Sequence, residues 1–286
     1  MTDYSLDFSH TSGKPEFRAV LRSTPEDFCV EEVLDFVPCG EGEHLYLHIR
    51  KCNQNTLWVA RQLARFCGVK DMDVGYCGLK DRRAVTSQWF SVYRPKGPPL
   101  DWPGFVADGV ELLSATRHTH KLKPGLHQAN LFTIRLRECA GELGDMQAIG
   151  RGVPNYFGEQ RFGIAARAYL FNQVLSARVA RGNWQTRLSG DMGEFPTGPL
   201  WGRGRSPVGG ATSELEQAVL APWSHWCKGL EHVGLQQERR ILVCRPHDFA
   251  VAWQDSDLRL TFGLGPGQYA TTVLREVAQL TPIRAY

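Results

Sequence analysis

Asp81 is the residue in this 286-residue chain best placed to do chemistry. It lies in residues 75–92, GYCGLKDRRAVTSQWFSV, as one carboxylate between Lys80 and the pair Arg82 and Arg83. Positive neighbours favour the ionised form of an aspartate. The same cations can hold a polyanion, and phosphate is the usual one. One reading is therefore a reactive carboxylate inside a phosphate-binding collar. The other is a turn-capping aspartate on a solvated basic face, the commoner fate of an arbitrary KDRR run. Cys77, four residues upstream, has no histidine near it in sequence. It reads as a small packing residue rather than a nucleophile.

A carboxylate acts only if its loop is held, so the flanking segments come next. Val74, Tyr76 and Gly78 read as the end of a short strand entering a turn, and residues 88–92 as a second strand rich in aromatic and β-branched side chains. Residues 44–50 alternate, with Leu45, Leu47 and Ile49 on one face, as a half-buried strand does. Residues 55–66 read as a helix capped by Asn55 or Thr56 and ended by Gly68. Its apolar side carries Val59, Leu63 and Phe66, and Arg61 and Arg65 share a polar side one turn apart. Residues 17–33 read as two strand segments broken by a turn at Pro25. Residues 110–115 and 129–136 read as strands, and residues 94–104 as a Pro-rich loop.

Further along, residues 164–181 read as a helix with one apolar stripe, Leu170, Val174, Leu175 and Val179, ended by Gly182. Residues 190–210 are rich in Gly and Pro and resemble a linker. Ser213 and Glu216 have capping-box spacing at the start of another helix. Residues 239–244 read as a strand, 249–253 and 258–262 as a hairpin, and 269–280 as a C-terminal helix opened by Tyr269.

A formal net charge of +3 does not by itself announce a nucleic-acid binder. Its distribution says more, because residues 50–94 hold nine Lys/Arg against three Asp. That local excess outweighs the net charge of the whole chain and is the electrostatic footprint expected for nucleic acid. Eight cysteines stand singly with no C-x-x-C pair, which argues against a zinc site, and a chain of this size without a signal peptide is expected in a reducing cytoplasm, where they stay as thiols. His118 and His120 form a metal-like pair, but no further ligand type clusters nearby. No apolar run approaches membrane-spanning length. No secretion signal opens the sequence.

GLKDRRAVTSQWFSV resembles the aspartate-bearing motif of the TruD family of tRNA pseudouridine synthases. VPNYFGEQRFG, at 153–163, resembles that family's other long motif, and shorter matches at 25–31, 130–137 and 265–276 extend the likeness over most of the chain. The resemblance implies an α+β fold: a pseudouridine synthase catalytic domain with a mixed, largely antiparallel β-sheet flanked by helices. That domain is expected in residues 1–155 and 239–286, with an inserted, mainly helical domain at 156–238 and a cleft between them.

The resemblance further implies an isomerase that turns uridine in tRNA, at position 13 in the family, into pseudouridine. Asp81 is then the nucleophile or the base. Arg22 stands where the family usually has lysine and is expected to pair with Asp81. Phe28 and Tyr269 become platforms for the flipped base, facing Asp81 together, and Asn130 contacts the nucleotide. The family usually has phenylalanine where this chain has Tyr269. Lys80, Arg82, Arg83, Arg61 and Arg65 are the candidates for the RNA backbone, and Asn155, Glu159, Gln160 and Arg161 contact RNA or fix a hinge.

The isomerisation needs no redox cofactor and no metal. A cytoplasmic monomer with tRNA as partner is expected. The alternative is a non-catalytic RNA-binding or RNA-chaperone protein of the same fold. The intact Asp81 weighs against it, because a pure binder gains nothing from an anion facing a polyanion. Three places read as shortened against the family, at 138–150, 164–165 and 195–196, either as loops absent from the structure or as natural deletions.

Overall fold

The computed structural model describes residues 4–158 and 164–282. Its strands and helices, in order, are β1 (Arg18–Leu21), β2 (Phe28–Leu34), β3 (His44–Cys52), α1 (Thr56–Cys67), β4 (Val74–Tyr76), β5 (Val85–Tyr93), β6 (Val110–His118) and β7 (His127–Ala140). There follow α2 (Met146–Arg151), β8 (Val153–Pro154), α3 (Ile164–Ala180), β9 (Thr197–Leu200), α4 (Gly210–Leu220), α5 (Ser224–His232), β10 (Glu238–Ile241) and β11 (Val243–Cys244). The chain closes with β12 (His247–Gln254), β13 (Asp257–Leu264), α6 (Ala270–Val277) and β14 (Gln279–Pro282). It divides into two compact units. One joins Met1–Arg18, Gly141–Pro246 and Gln268–Gln279; the other joins Ala19–Ala140, His247–Gly267 and Leu280–Tyr286.

The second unit is built on a sheet of order β12-β13-β7-β2-β5-β3-β6, with β4 beside β5 and β1 beside both β7 and β14. Along that path β2 and β5 run parallel, whereas β12–β13, β13–β7, β2–β7, β3–β5 and β3–β6 are antiparallel, as is the side pair β4–β5. This is the mixed, largely antiparallel α+β sheet expected, and its path does not close into a barrel.

Helix α1 covers the sheet beside Asp81. Gly68 ends it with a left-handed φ of 66°, its N–H reaching the carbonyls of Ala64 and Arg65. Val59, Leu63, Ala64 and Cys67 pack in one core with Leu47 and Ile49 of β3 and Phe90 of β5. Each fully buried aliphatic or aromatic side chain of this kind contributes roughly 1.5–3 kcal/mol. Gly75 lets β4 lie close against the segment between β6 and β7: a Cβ there would stand 2.4 Å from the Leu122 carbonyl oxygen.

In the first unit α3 departs from the single-stripe expectation. Phe171, Leu175 and Val179 join a core with Tyr156, Trp184 and Leu242. Leu170 and Val174 join a different one with Leu220, Cys227 and Leu230. A helix packed on two sides carries apolar residues on two sides. The Gly/Pro-rich stretch is also not simply a linker, since it contains β9, paired antiparallel with β10. Helix α4 begins at Gly210, so Ser213 lies inside it, and Glu216 pairs with Arg239 at 2.8 Å instead of capping. The C-terminal helix stops at Val277, where Ala278 turns extended and leads into β14. Among the described residues no helix is long and apolar enough to cross a membrane.

Candidate active site

Asp81 sits in the loop between β4 and β5, and hydrogen bonds fix that loop from several directions. The backbone N–H of Lys80 donates to Thr56 Oγ1, at the start of α1, at 3.0 Å. Thr56 Oγ1 donates to Gln88 Oε1 of β5 at 2.9 Å, and Gln88 Nε2 donates back to the Gly78 carbonyl at 3.2 Å. Arg82 Nε donates to the Asn53 carbonyl at 3.3 Å. Lys51 Nζ, at the end of β3, donates to the carbonyl of Asp81 itself at 2.7 Å.

The Asp81 carboxylate faces outward with its side chain 51% exposed, and Arg22 NH2 lies 2.7 Å from its Oδ2. Arg22 follows directly on β1 and takes φ 63°, a left-handed backbone that favours glycine. Such a conformation costs a non-glycine residue about 1–3 kcal/mol. Here it accompanies an arginine that meets the carboxylate.

The Arg22 guanidinium lies 4.0 Å from the centroid of the Phe28 ring, a cation–π contact. Phe28 is 1% exposed and also meets Phe132 edge-on. A base can stack on Phe28 only if Arg22 moves, so in this structure the ring supports Arg22. Asp27, just before Phe28, is gripped by the Arg137 fork, whose Nε lies 2.9 Å from Oδ2 and whose NH2 lies 2.7 Å from Oδ1. Burial pushes the Asp27 carboxyl up, but the Arg137 fork and the Thr24 N–H outweigh it, and the net shift is downward.

Lys80 behaves differently from the collar expected of it. Its side chain is 6% exposed, and its ammonium lies 2.5 Å from the fully buried carboxylate of Glu32. The other oxygen of Glu32 accepts the Trp89 N–H at 3.0 Å. That cation is spent inside the protein, whereas Arg82, Arg83 and Arg65 are exposed and Arg61 makes only a loose exposed pair with Asp71 at 3.7 Å.

Glu32, Cys77 and His127 bring ligand-type atoms within 4.8 Å of one another. Their one anion already has its counter-charge in Lys80. Burial, helped by Glu32, pushes the Cys77 thiol up to about 12, which keeps it protonated and unreactive. Burial and then Lys80 hold the His127 imidazole below its usual range. Asn130 of β7 stands opposite Glu32 of β2. Its Nδ2 lies 3.0 Å from His127 Nε2, and its buried Oδ1 has no hydrogen-bond partner among the described residues.

Tyr269 belongs to the other unit, at the N-terminal flank of α6. Its ring centroid lies 6.0 Å from that of Phe157. The Arg240 guanidinium lies 3.6 Å from the Phe157 centroid and 5.6 Å from that of Tyr269. Arg240 NH2 also donates to Asn155 Oδ1 at 2.8 Å, and Asn155 Nδ2 donates to the Ile241 carbonyl at 2.9 Å. Asn155 is 3% exposed, so it serves the packing of this unit. Glu159, Gln160 and Arg161 lie outside the described residues.

Sequence reasoning missed Lys51, Glu32 and Arg240. For the first two a signal existed. Lys51 shares the strand parity of Leu45, Leu47 and Ile49, and Glu32 shares that of Phe28 and Val30. A charge on the inward parity of a strand is buried, and a buried charge needs a partner.

Comparison with known proteins bears on what such a site does. The sequence model described as tRNA pseudouridine synthase D (TruD) matches residues 8–165 and 193–277. A tRNA pseudouridine synthase D of Cellvibrio japonicus is 44% identical over 317 aligned residues, covering 97% of this chain and 94% of that protein. One of Methylococcus capsulatus is 39% identical, covering 96% and 95%. The first alignment is longer than the chain's own 286 residues, so that relative carries internal segments this chain lacks. A crystal structure assigned to tRNA pseudouridine synthase D of Methanosarcina mazei superposes with a TM-score of 0.68 over 97% of this chain and 96% of that one, at 19% identity.

Proposed function

We propose the chemistry of this site from one premise: the chain belongs to the tRNA pseudouridine synthase D (TruD) family. It is an isomerase that turns uridine in tRNA into pseudouridine. The reaction breaks the bond from C1′ to N1 of the base and makes one from C1′ to C5, with a proton lost from C5 and one gained at N1. Asp81 is the group that acts on the sugar. It either attacks C1′ and is later displaced by C5, or takes a sugar proton. The observation that carries this reading is a half-exposed carboxylate, engaged by Arg22 through one oxygen, on a loop pinned from behind.

Arg22 orients the carboxylate through its contact with Oδ2. Asn130 is assigned to the target nucleotide, its side chain turning so that Oδ1, buried here and without a protein donor among the described residues, accepts an N–H. Arg82, Arg83, Arg61 and Arg65 take backbone phosphates. The base must leave its stack to be turned and needs an aromatic face outside it. Tyr269 is assigned that face, as is Phe28 once Arg22 swings off it. Loss of turnover in Tyr269→Ala with retention in Tyr269→Phe tests the first assignment. The inserted-domain reading of residues 156–238, the tRNA position 13, and a monomer acting without metal belong to the same proposal.

Mass analysis of tRNA from cells with and without the protein tests the whole. Pseudouridine at one tRNA position should vanish without the protein and return with wild type but not with Asp81→Asn. Unchanged tRNA would leave the RNA-chaperone alternative standing.

A further inference from the structure

We propose that Lys51 is a positioning residue for Asp81: its ammonium holds the Asp81 backbone from behind, so that the carboxylate keeps the orientation turnover needs. This rests on reading Asp81 as the catalytic group. Among the described hydrogen bonds to this loop, those of Thr56, Gln88 and Asn53 go to Lys80, Gly78 and Arg82. The bond from Lys51 reaches Asp81 itself, at 2.7 Å. Lys51 is 0% exposed, on the inward parity of β3 between β5 and β6.

Fold stability alone gives no reason for a lysine there. Taking an ammonium out of water is costly, and an apolar side chain of similar length would fill the slot without that cost. The Asp81 carbonyl is a neutral acceptor, so leaving it without this donor costs less than burying the ammonium does. The lysine is thus a destabilising residue whose contact is with the reacting residue's own backbone.

Three titratable groups face the ammonium: Asp81 and Lys80 from the loop and Cys52 from its own strand. Burial, with Lys80, outweighs Asp81 and Cys52 and brings Lys51 down to about 8. As pH rises past that value the folded protein loses the proton while the unfolded chain keeps it until about 10.4. Across that window the unfolded chain binds more protons, so this group's contribution to stability rises with pH. Turnover that depends on the ammonium falls over the same window. A lysine kept for stability would not separate the two.

The test compares wild type with Lys51→Met, using the full chain and a tRNA transcript. We expect kcat to fall roughly 10- to 100-fold, as for a displaced catalytic group, with KM and tRNA affinity unchanged and Tm unchanged or raised. Wild-type kcat should decline above about pH 8, and the variant's lower kcat should lack that decline. Wild-type kcat in the variant, a loss of kcat that tracks a fall in Tm, failure to fold, or persistence of the alkaline decline would each overturn the proposal. Asp81→Asn is assayed beside it. If that variant turns over, the reading of Asp81 fails first; if it is dead while Lys51→Met is normal, only the role of Lys51 fails.

Discussion

Lys80 and Asp81 are adjacent in the chain and sit in different surroundings. The Lys80 side chain is 6% exposed against a Glu32 carboxylate that is 0% exposed. Asp81 is 51% exposed against an Arg22 that is 26% exposed. Both pairs are short, yet their energetics differ. A buried pair resists the loss of either partner, because the survivor is stranded without water. An exposed pair exchanges readily with solvent and contributes little to stability. The difference divides labour within a few residues: the inward pair sets where the loop is, and the outward pair leaves a carboxylate that can meet a substrate.

That division can be broken from either side. On the inward side, Glu32→Ala strands the Lys80 ammonium and should cost about 3–5 kcal/mol, read as a lower urea midpoint. The double replacement Glu32→Met with Lys80→Met should recover much of it. A single-variant cost no larger than that of a surface pair would mean that the two sides of the loop do not differ.

On the outward side, Arg22→Ala should change stability by less than about 1 kcal/mol while turnover drops. Arg22→Lys keeps the charge but not the planar fork, and should recover part of the loss. A large stability loss in Arg22→Ala would place this pair with the buried one. The smallest expected effect concerns the exposed cations. Removing charge at Arg61, Arg65 and Arg83 together should weaken tRNA binding and flatten its salt dependence by about 0.7–0.9 for each phosphate no longer neutralised. An unchanged slope would make them a solvated face.

How much of this was legible depended on how directly period reports burial. Helix α1 could be read to within a residue from Asn55, Gly68 and the spacing of Val59 and Leu63, because its one buried face imposes the period. Helix α3 could be located, but its two buried faces could not, since a helix enclosed on both sides blurs the stripe. β9 was hidden because Gly198 and Pro199 read as breakers, while its pairing with β10 comes from distant sequence.

At the site, the motif pointed to Asp81 and its neighbours as candidates. It could not say that Lys80 turns inward, because that depends on Glu32 arriving from β2. The expected partnership of Arg22 with Asp81 is present, but the left-handed backbone at Arg22 leaves no trace in composition. Phe28 shows the limit of residue type alone: an aromatic can be core or platform, and this one lies under Arg22.

The central claim is that the outward carboxylate of Asp81 does the chemistry while its surroundings hold it. The most direct measurement is single-turnover pseudouridine formation by Asp81→Asn, followed as proton release from C5 of uridine in a tRNA transcript, with tRNA affinity measured on the same preparation. Asparagine keeps the shape and can serve neither as base nor as comparable nucleophile. Full tRNA binding with no release at C5 is the result this structure predicts. Substantial release by Asp81→Asn would contradict it.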